Sequence, residues 1–282
     1  MPTDRQFATG QEDETADSPE RDAERFVFGA DPVRERWWGR PLAETRAWLE
    51  FGRLLADPVL YGNAGIPRGD GRPVVLMPGF LAGDQTLAVL AAWLRSIGYW
   101  PATCGFITNT GCSDRALDRV ERRAQALSRT HGRRVVVIGH SRGGHYARAL
   151  AARRPDLVSH AISMGADLQG MFGASAPTLF AVGAAQRIVH ATGRARAPDC
   201  LSGHCGCAFS HDFARPFPSD DVRLTSIYSR EDGVVHWQCQ IIPDADCIEV
   251  TGSHVGLIFN RKVYRAVADA LARPELTGDE RR

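Results

Sequence analysis

Short apolar runs alternate with amphipathic stretches along most of the chain. Pro73-Val74-Val75-Leu76-Met77 has no polar position and reads as a strand covered on both faces, entered from the Gly69-Asp70-Gly71 turn and broken at Pro78-Gly79-Phe80. A helix is predicted from about Gln85 to Ile97, a strand around Trp100 to Phe106, and a helix from Arg115 to about Thr130 that Ser113 and Asp114 start. The β-branched run Val135-Val136-Val137-Ile138 is the next strand, and Arg142 to Arg153 the next helix, closed by Pro155. Further strands are expected at Ser159–Met164, Leu224–Tyr228 and Cys247–Val250. The last helix runs from Arg261 to Leu271, with Val263, Val267 and Leu271 on one face.

Strict alternation of strand and helix is the mark of βαβ units, so the fold class expected is α/β, with a parallel sheet between two helical layers. The alternation lapses over residues 167 to 218. At the other end, residues 1–25 are acidic and poor in large apolar groups, which predicts a disordered tail. Residues 26–71 form an N-terminal helical segment packing on the core, and 72–282 the main domain. In that segment Leu42, Trp48, Leu49, Leu54 and Leu55 outline a helix between Pro41 and Asp57-Pro58. Its aromatics Trp37, Trp38, Trp48 and Phe51 are assigned to the core, with a membrane-surface or dimer contact as the other reading.

Composition narrows the classes. At 282 residues and 44% hydrophobic, the chain can bury one full core. A net charge of +1, with arginines scattered among acids, excludes a polyanion partner, and no nucleic-acid motif is present. There is no secretory signal, and no apolar run of the roughly 20 residues that span a bilayer, so no transmembrane segment and a cytoplasmic location are expected. Seven cysteines fit reduced thiols better than a disulfide framework, although Cys200, Cys205 and Cys207 could pair among themselves, and Cys239 and Cys247 flank a short connection and could also pair. Cys200, His204, Cys205, Cys207 and His211 carry zinc-type donors, but their spacing fits no established site, and neither metal nor cofactor is expected.

The chemistry centres on Gly139-His140-Ser141-Arg142-Gly143-Gly144, where a buried strand runs through Gly-x-Ser-x-Gly into a helix. Glycine is required on both sides because a side chain at Gly139 or Gly143 would collide with the neighbouring strand or helix. Ser141 then stands at the carboxyl edge of the sheet. A serine hydroxyl needs a base to take its proton and a carboxylate to orient that base. The loops after the last two strands supply both, with Asp232 in Ser229-Arg230-Glu231-Asp232-Gly233 and His254 in Thr251-Gly252-Ser253-His254. Glu231 is the rival to Asp232; the Gly233-Val234-Val235 that follows favours the aspartate. His140 and His145 are read as packing or rim residues, while His190, His204, His211 and His236 have no comparable placement. The oxyanion would be met by the backbone N–H of Arg142 and by that of Phe80, with Leu81 as the alternative.

Over Arg72 to Leu271 the chain resembles the α/β-hydrolases of the bacterial lipase and esterase kind. The resemblance is carried by LMPGF (Leu76–Phe80), GHSRGG (Gly139–Gly144), YSREDGVV (Tyr228–Val235) and GSHVGL (Gly252–Leu257), and by the chain order Ser, Asp, His. Where many relatives have a histidine before the oxyanion glycine, this chain has Pro78. The resemblance implies a shortened, mostly parallel sheet of about six strands and a lid insertion before the Asp-bearing strand. Phe172, Leu179, Phe180, Phe209, Phe213 and Phe217 would then roof an acyl pocket, and ordinary packing within the lid accounts for them equally well. It also implies a serine hydrolase acting on a small-molecule ester of an apolar acid without a cofactor. An acyltransferase or thioesterase would use the same residues, and a non-catalytic relative would bind a lipid or partner.

Overall fold

A strand apolar at every position needs cover on both faces, and the computed structural model provides it. The structure describes residues 38–62, 65–170, 173–191 and 207–276. The acidic tail, Trp37, Phe172, Cys200, His204 and Cys205 lie outside these residues. Strands β1 (Pro73–Met77), β2 (Trp100–Thr103), β3 (Val135–His140), β4 (Val158–Met164), β5 (Arg223–Ser229) and β6 (Asp246–Val250) form one sheet in the order β2-β1-β3-β4-β5-β6. Every neighbouring pair is parallel, with Val74 opposite Val136 and Leu76 opposite Ile138. The parallel sheet with helices on both faces is the architecture expected from the alternation, and its six strands match the number the resemblance implies.

The helices are α1 (Ala47–Leu55), α2 (Ala88–Ser96), α3 (Ser113–His131), α4 (Arg142–Arg153), α5 (Ala176–Ala191), α6 (Ala208–Ala214) and α7 (Arg261–Ala272). Successive strand residues point to opposite faces, so each strand feeds two cores. Val74, Leu76, Val136 and Ile138 pack with Leu90 and Trp93 of α2, Val267 of α7 and Leu54 of α1. Val75, Met77, Val135 and Val137 pack with Leu117 of α3, Tyr146 and Leu150 of α4 and Phe213 of α6. The order of β1, β2 and β3 sets the site. The chain leaves β1 to one side for β2, then returns to the other side for β3. A crevice therefore opens beyond the carboxyl ends of β1 and β3, where open α/β sheets bind ligands.

Several local expectations change. The strand expected to reach Phe106 ends at Thr103, because Gly105 turns the chain with φ +79° and its N–H donates to Asp84 Oδ2 at 2.6 Å. Ser113 does not cap α3. It lies inside the first turn, and its hydroxyl accepts from the Arg142 guanidinium at 2.9 Å. The first part of the N-terminal helix is a 3-10 turn, Pro41–Arg46. Trp38 and Trp48, assigned to the core, are 72% and 81% exposed. The buried positions of α1 are Ala47, Glu50 and Leu54, and of the aromatics Phe51 packs on Phe259 at 4.9 Å. Cys247 does not bridge to Cys239; it is a free thiol facing the carbonyl oxygens of Ile242 and Ala245 at 3.7 and 3.5 Å. Phe213 and Phe217 belong to the core under α4, and Phe180 is exposed. Among the described residues no helix is long and apolar enough to cross a membrane.

Candidate active site

The turn after β3 is built by steric exclusion. A Cβ at Gly139 would fall on the Gly143 carbonyl, one at Gly143 on the Met77 carbonyl oxygen of β1, and one at Gly144 would come within 2.6 Å of Ala166 Cβ. With those positions stripped, β3 passes into α4 in one residue, and Ser141 takes φ 51°, ψ −122°. Leu81 in the loop after β1 has φ 60°, and these two are the non-glycine residues with positive φ among those described. Left-handed backbone is costly for a side-chain-bearing residue, so strain is concentrated on the two sides of the crevice.

Ser141, His254, Phe80, Leu81 and Arg142 line one cavity of about 490 Å³, whose apolar wall includes Leu179, Val182, Phe209 and Ile258. Phe80 and Ser141 are half-buried; Arg142, Asp232 and His254 are buried. His254 Nδ1 stands 2.8 Å from Asp232 Oδ2. The other partners of Asp232 all donate: the N–H groups of Val234 and Val235 reach Oδ1, both at 2.8 Å, and Gln240 Nε2 reaches Oδ2 at 3.1 Å. An acceptor so surrounded accepts a hydrogen bond from Nδ1–H, which fixes the proton of His254 on Nδ1 and leaves its lone pair on Nε2. Burial opposes charge on His254, but Asp232, followed by Glu44, outweighs it and raises the imidazole above its ordinary value of 6.5. Glu231, the rival acid, points outward to Arg46 at 3.5 Å.

His140 packs its ring on that of His254, with centroids 4.9 Å apart, and its Nε2 lies 2.9 Å from the His254 carbonyl oxygen. Burial pushes His140 down to about 3, so it stays neutral and donates to that carbonyl. His145 turns its ring edge to Phe213 at 5.4 Å. Arg142 opens α4, where a first-turn amide has no carbonyl one turn back, so its N–H is available at the crevice. Its guanidinium reaches across to the carbonyls of Asn109 and Gly111 at 2.9 and 2.8 Å, and lies over the rings of Phe80 and Tyr146. Asn109 in turn donates to the Pro78 carbonyl at 2.8 Å and accepts from the Tyr146 hydroxyl at 3.0 Å. The Pro78–Leu81 loop is thus tied to α4 by a network that the local sequence does not announce. Asp167, another residue of the cavity wall, accepts from the N–H groups of Gln169, Gly170 and Gly173 and sets the turn after β4.

The stretch between β4 and β5 contributes Leu179 and Val182 of α5 and Phe209 of α6 to the cavity. Arg153 Nε fixes α6 through Asp212 at 2.6 Å. Among the described residues no three or more His, Cys, Asp or Glu side chains group as metal ligands do. A second cavity of about 470 Å³ lies behind the His254 loop, between Arg46 and Arg53 on one side and Thr251, Arg261 and Lys262 on the other. It does not include Ser141.

Residues 98–197 match a family model described as the alpha/beta hydrolase fold. No curated protein matches the chain in sequence. Among solved structures, the mature form of the Bacillus licheniformis lipase BlEst2 is 14% identical, with a TM-score of 0.54 over 73% of this chain and 94% of that one. Polyneuridine aldehyde esterase is 16% identical, with a TM-score of 0.50 over 72% of this chain and 98% of that one. At such identities the likeness is one of fold, and it agrees with the sheet order and the strand-to-helix turn at Ser141. The chain has the α/β-hydrolase fold.

Proposed function

We propose that the protein is a serine hydrolase that cleaves carboxylic esters of apolar acids, with residues 72–282 as the catalytic unit. The observation that carries this reading is the buried His254–Asp232 hydrogen bond of 2.8 Å at the wall of an apolar cavity that also presents Ser141. In this reading Ser141 Oγ attacks the ester carbonyl while His254 Nε2 takes its proton. The N–H groups of Arg142 and Phe80, or Leu81 in place of Phe80, receive the negative charge that develops on the carbonyl oxygen. His254 then protonates the leaving alkoxide, and an acyl group remains on Ser141. Water attacks that ester with His254 again as base, and the carboxylic acid leaves. Asp232 keeps the imidazole in one tautomer throughout and stabilises the imidazolium. Transfer of the acyl group to an alcohol or thiol shares every step up to the acyl-enzyme, so the acceptor alone separates hydrolysis from transfer.

The test is labelling of the purified protein by a fluorophosphonate probe. Labelling of the wild type that disappears in Ser141→Ala and His254→Ala is the expected result, and a folded wild type that takes no label would overturn the proposal in favour of a non-catalytic binding protein. The raised His254 value gives a second expectation. The base works only when neutral, so kcat/KM should climb with pH and reach half its plateau above pH 6.5, the ordinary histidine value. A pH series on a short acyl ester checks this; a half-plateau at or below 6.5 would contradict it.

A further inference from the structure

Two carboxylates that the chemistry above does not use are spent on backbone amides. Glu44 and Glu50 stand on the segment 38–55 and touch loops 189 to 211 residues away in sequence. Glu44 Oε1 accepts from the N–H of Gly233 and from that of His254, both at 3.1 Å, and Oε2 accepts from the N–H of Val255 at 2.7 Å. Glu50 accepts from the N–H of Ser253 at 2.9 Å and from its hydroxyl at 3.1 Å. Gly233 directly follows Asp232, and Ser253 and Val255 bracket His254. One side chain, Glu44, therefore joins the loop that bears the acid to the loop that bears the base.

The loops are shaped to receive these carboxylates. A Cβ at Gly233 would fall on the Arg40 carbonyl and lie 2.8 Å from Glu44 Oε1; one at Gly256 would fall on Glu50 Oε2. Neither glycine has a left-handed backbone, so close approach of the segment, not a turn, is what excludes a side chain there. The Arg40 N–H adds a bond to the Gly233 carbonyl at 3.1 Å.

We propose that Glu44, seconded by Glu50, is a positioning residue that clamps the Asp232 and His254 loops together and holds the imidazole in line with Ser141. This rests on the ester-hydrolase reading of the site. Hydrogen bonds from backbone amides to a carboxylate are charge-assisted, and so hold position better than neutral ones. Position is what the base needs, since a misplacement of about 1 Å costs on the order of 10²-fold in rate. The charged and titratable groups facing His254 are Asp232 beyond β5, Glu44 from the segment and His140 from β3, with Glu50 behind Ser253.

The experiment uses the full chain as wild type, Glu44→Gln, Glu44→Ala and, as a control, Arg46→Gln, which removes only an exposed ion pair between the same elements. Turnover of p-nitrophenyl butyrate should fall about tenfold in kcat for Glu44→Gln and about a hundredfold for Glu44→Ala, with KM little changed. The rising limb of the pH profile should move to lower pH in Glu44→Gln, because an anion that favours the imidazolium is gone. Arg46→Gln should match the wild type. In parallel, the low-field proton resonance of the His254–Asp232 hydrogen bond should weaken in Glu44→Gln. Glu44→Gln with wild-type kcat and an unmoved limb would overturn the clamp, and so would activity lost only in proportion to the folded fraction. If the wild type itself turns over no ester, the hydrolase reading fails, and the proton resonance then decides on the clamp alone: unchanged in Glu44→Gln, it is overturned.

Discussion

Ser141→Ala should turn over short acyl esters about a millionfold more slowly than the wild type, and Asp232→Asn about ten-thousandfold. The first loss follows from removing the only atom that forms the acyl bond; what survives is binding in the cavity and two oxyanion amides. The second follows from the hydrogen bonds of Asp232. Its Oδ1 is committed to the N–H groups of Val234 and Val235, so the oxygen of an asparagine must stay on that side. The amide nitrogen then faces His254 Nδ1 and donates to it, which forces the ring proton onto Nε2, where the base needs its lone pair. The same nitrogen also meets Gln240 Nε2, donor against donor. Both variants keep the backbone, so far-UV circular dichroism should be unchanged while p-nitrophenolate release collapses. Asp232→Asn within tenfold of the wild type would mean that another group orients His254.

The parts of this site that could be read in the sequence share a physical origin: each is a local constraint. Gly139 and Gly143 are small because their own neighbours in the turn leave no space, and the apolar run of β3 shows that both faces of the strand are covered. Asp232 and His254 were legible because β5 and β6 end just before them. The side chains that hold these groups were not. Glu44, Glu50 and Asn109 bond to backbone groups, which leave no trace in side-chain type, and their partners are distant in the chain. The misreading of Trp38 and Trp48 has the same cause. A pattern of hydrophobicity alone turns the aromatic face of the N-terminal segment inward, whereas carboxylate-to-amide bonds turn the Glu50 face inward and leave Trp48 in water. Phe213 and Phe217 went the other way. The lapse in alternation after β4 marks where regular structure stops repeating, but it does not say that α6 tucks under α4 through Arg153–Asp212.

Gly143→Ala joins stability to the oxyanion site directly. The added methyl falls on the Met77 carbonyl oxygen, a backbone atom at the end of β1 that no rotamer change can move aside. Either α4 lifts off the sheet or β1 shifts, and overpacking of this kind costs about 3 kcal/mol, or roughly a 10 °C drop in Tm for a chain of this size. Met77 leads straight into Pro78–Leu81, and Arg142 precedes Gly143, so both proposed oxyanion amides are displaced relative to Ser141. Losing one such donor costs about 10²- to 10³-fold in kcat. The expected protein is therefore folded at 20 °C yet slower by at least about that factor, with its fluorophosphonate labelling reduced in step. Thermal melts and turnover at 20 °C separate the two losses. A Gly143→Ala protein with lowered Tm but wild-type kcat would mean that the strain relaxes without displacing the groups that meet the oxyanion, and so that the Arg142 amide and the loop after β1 do not serve as its donors.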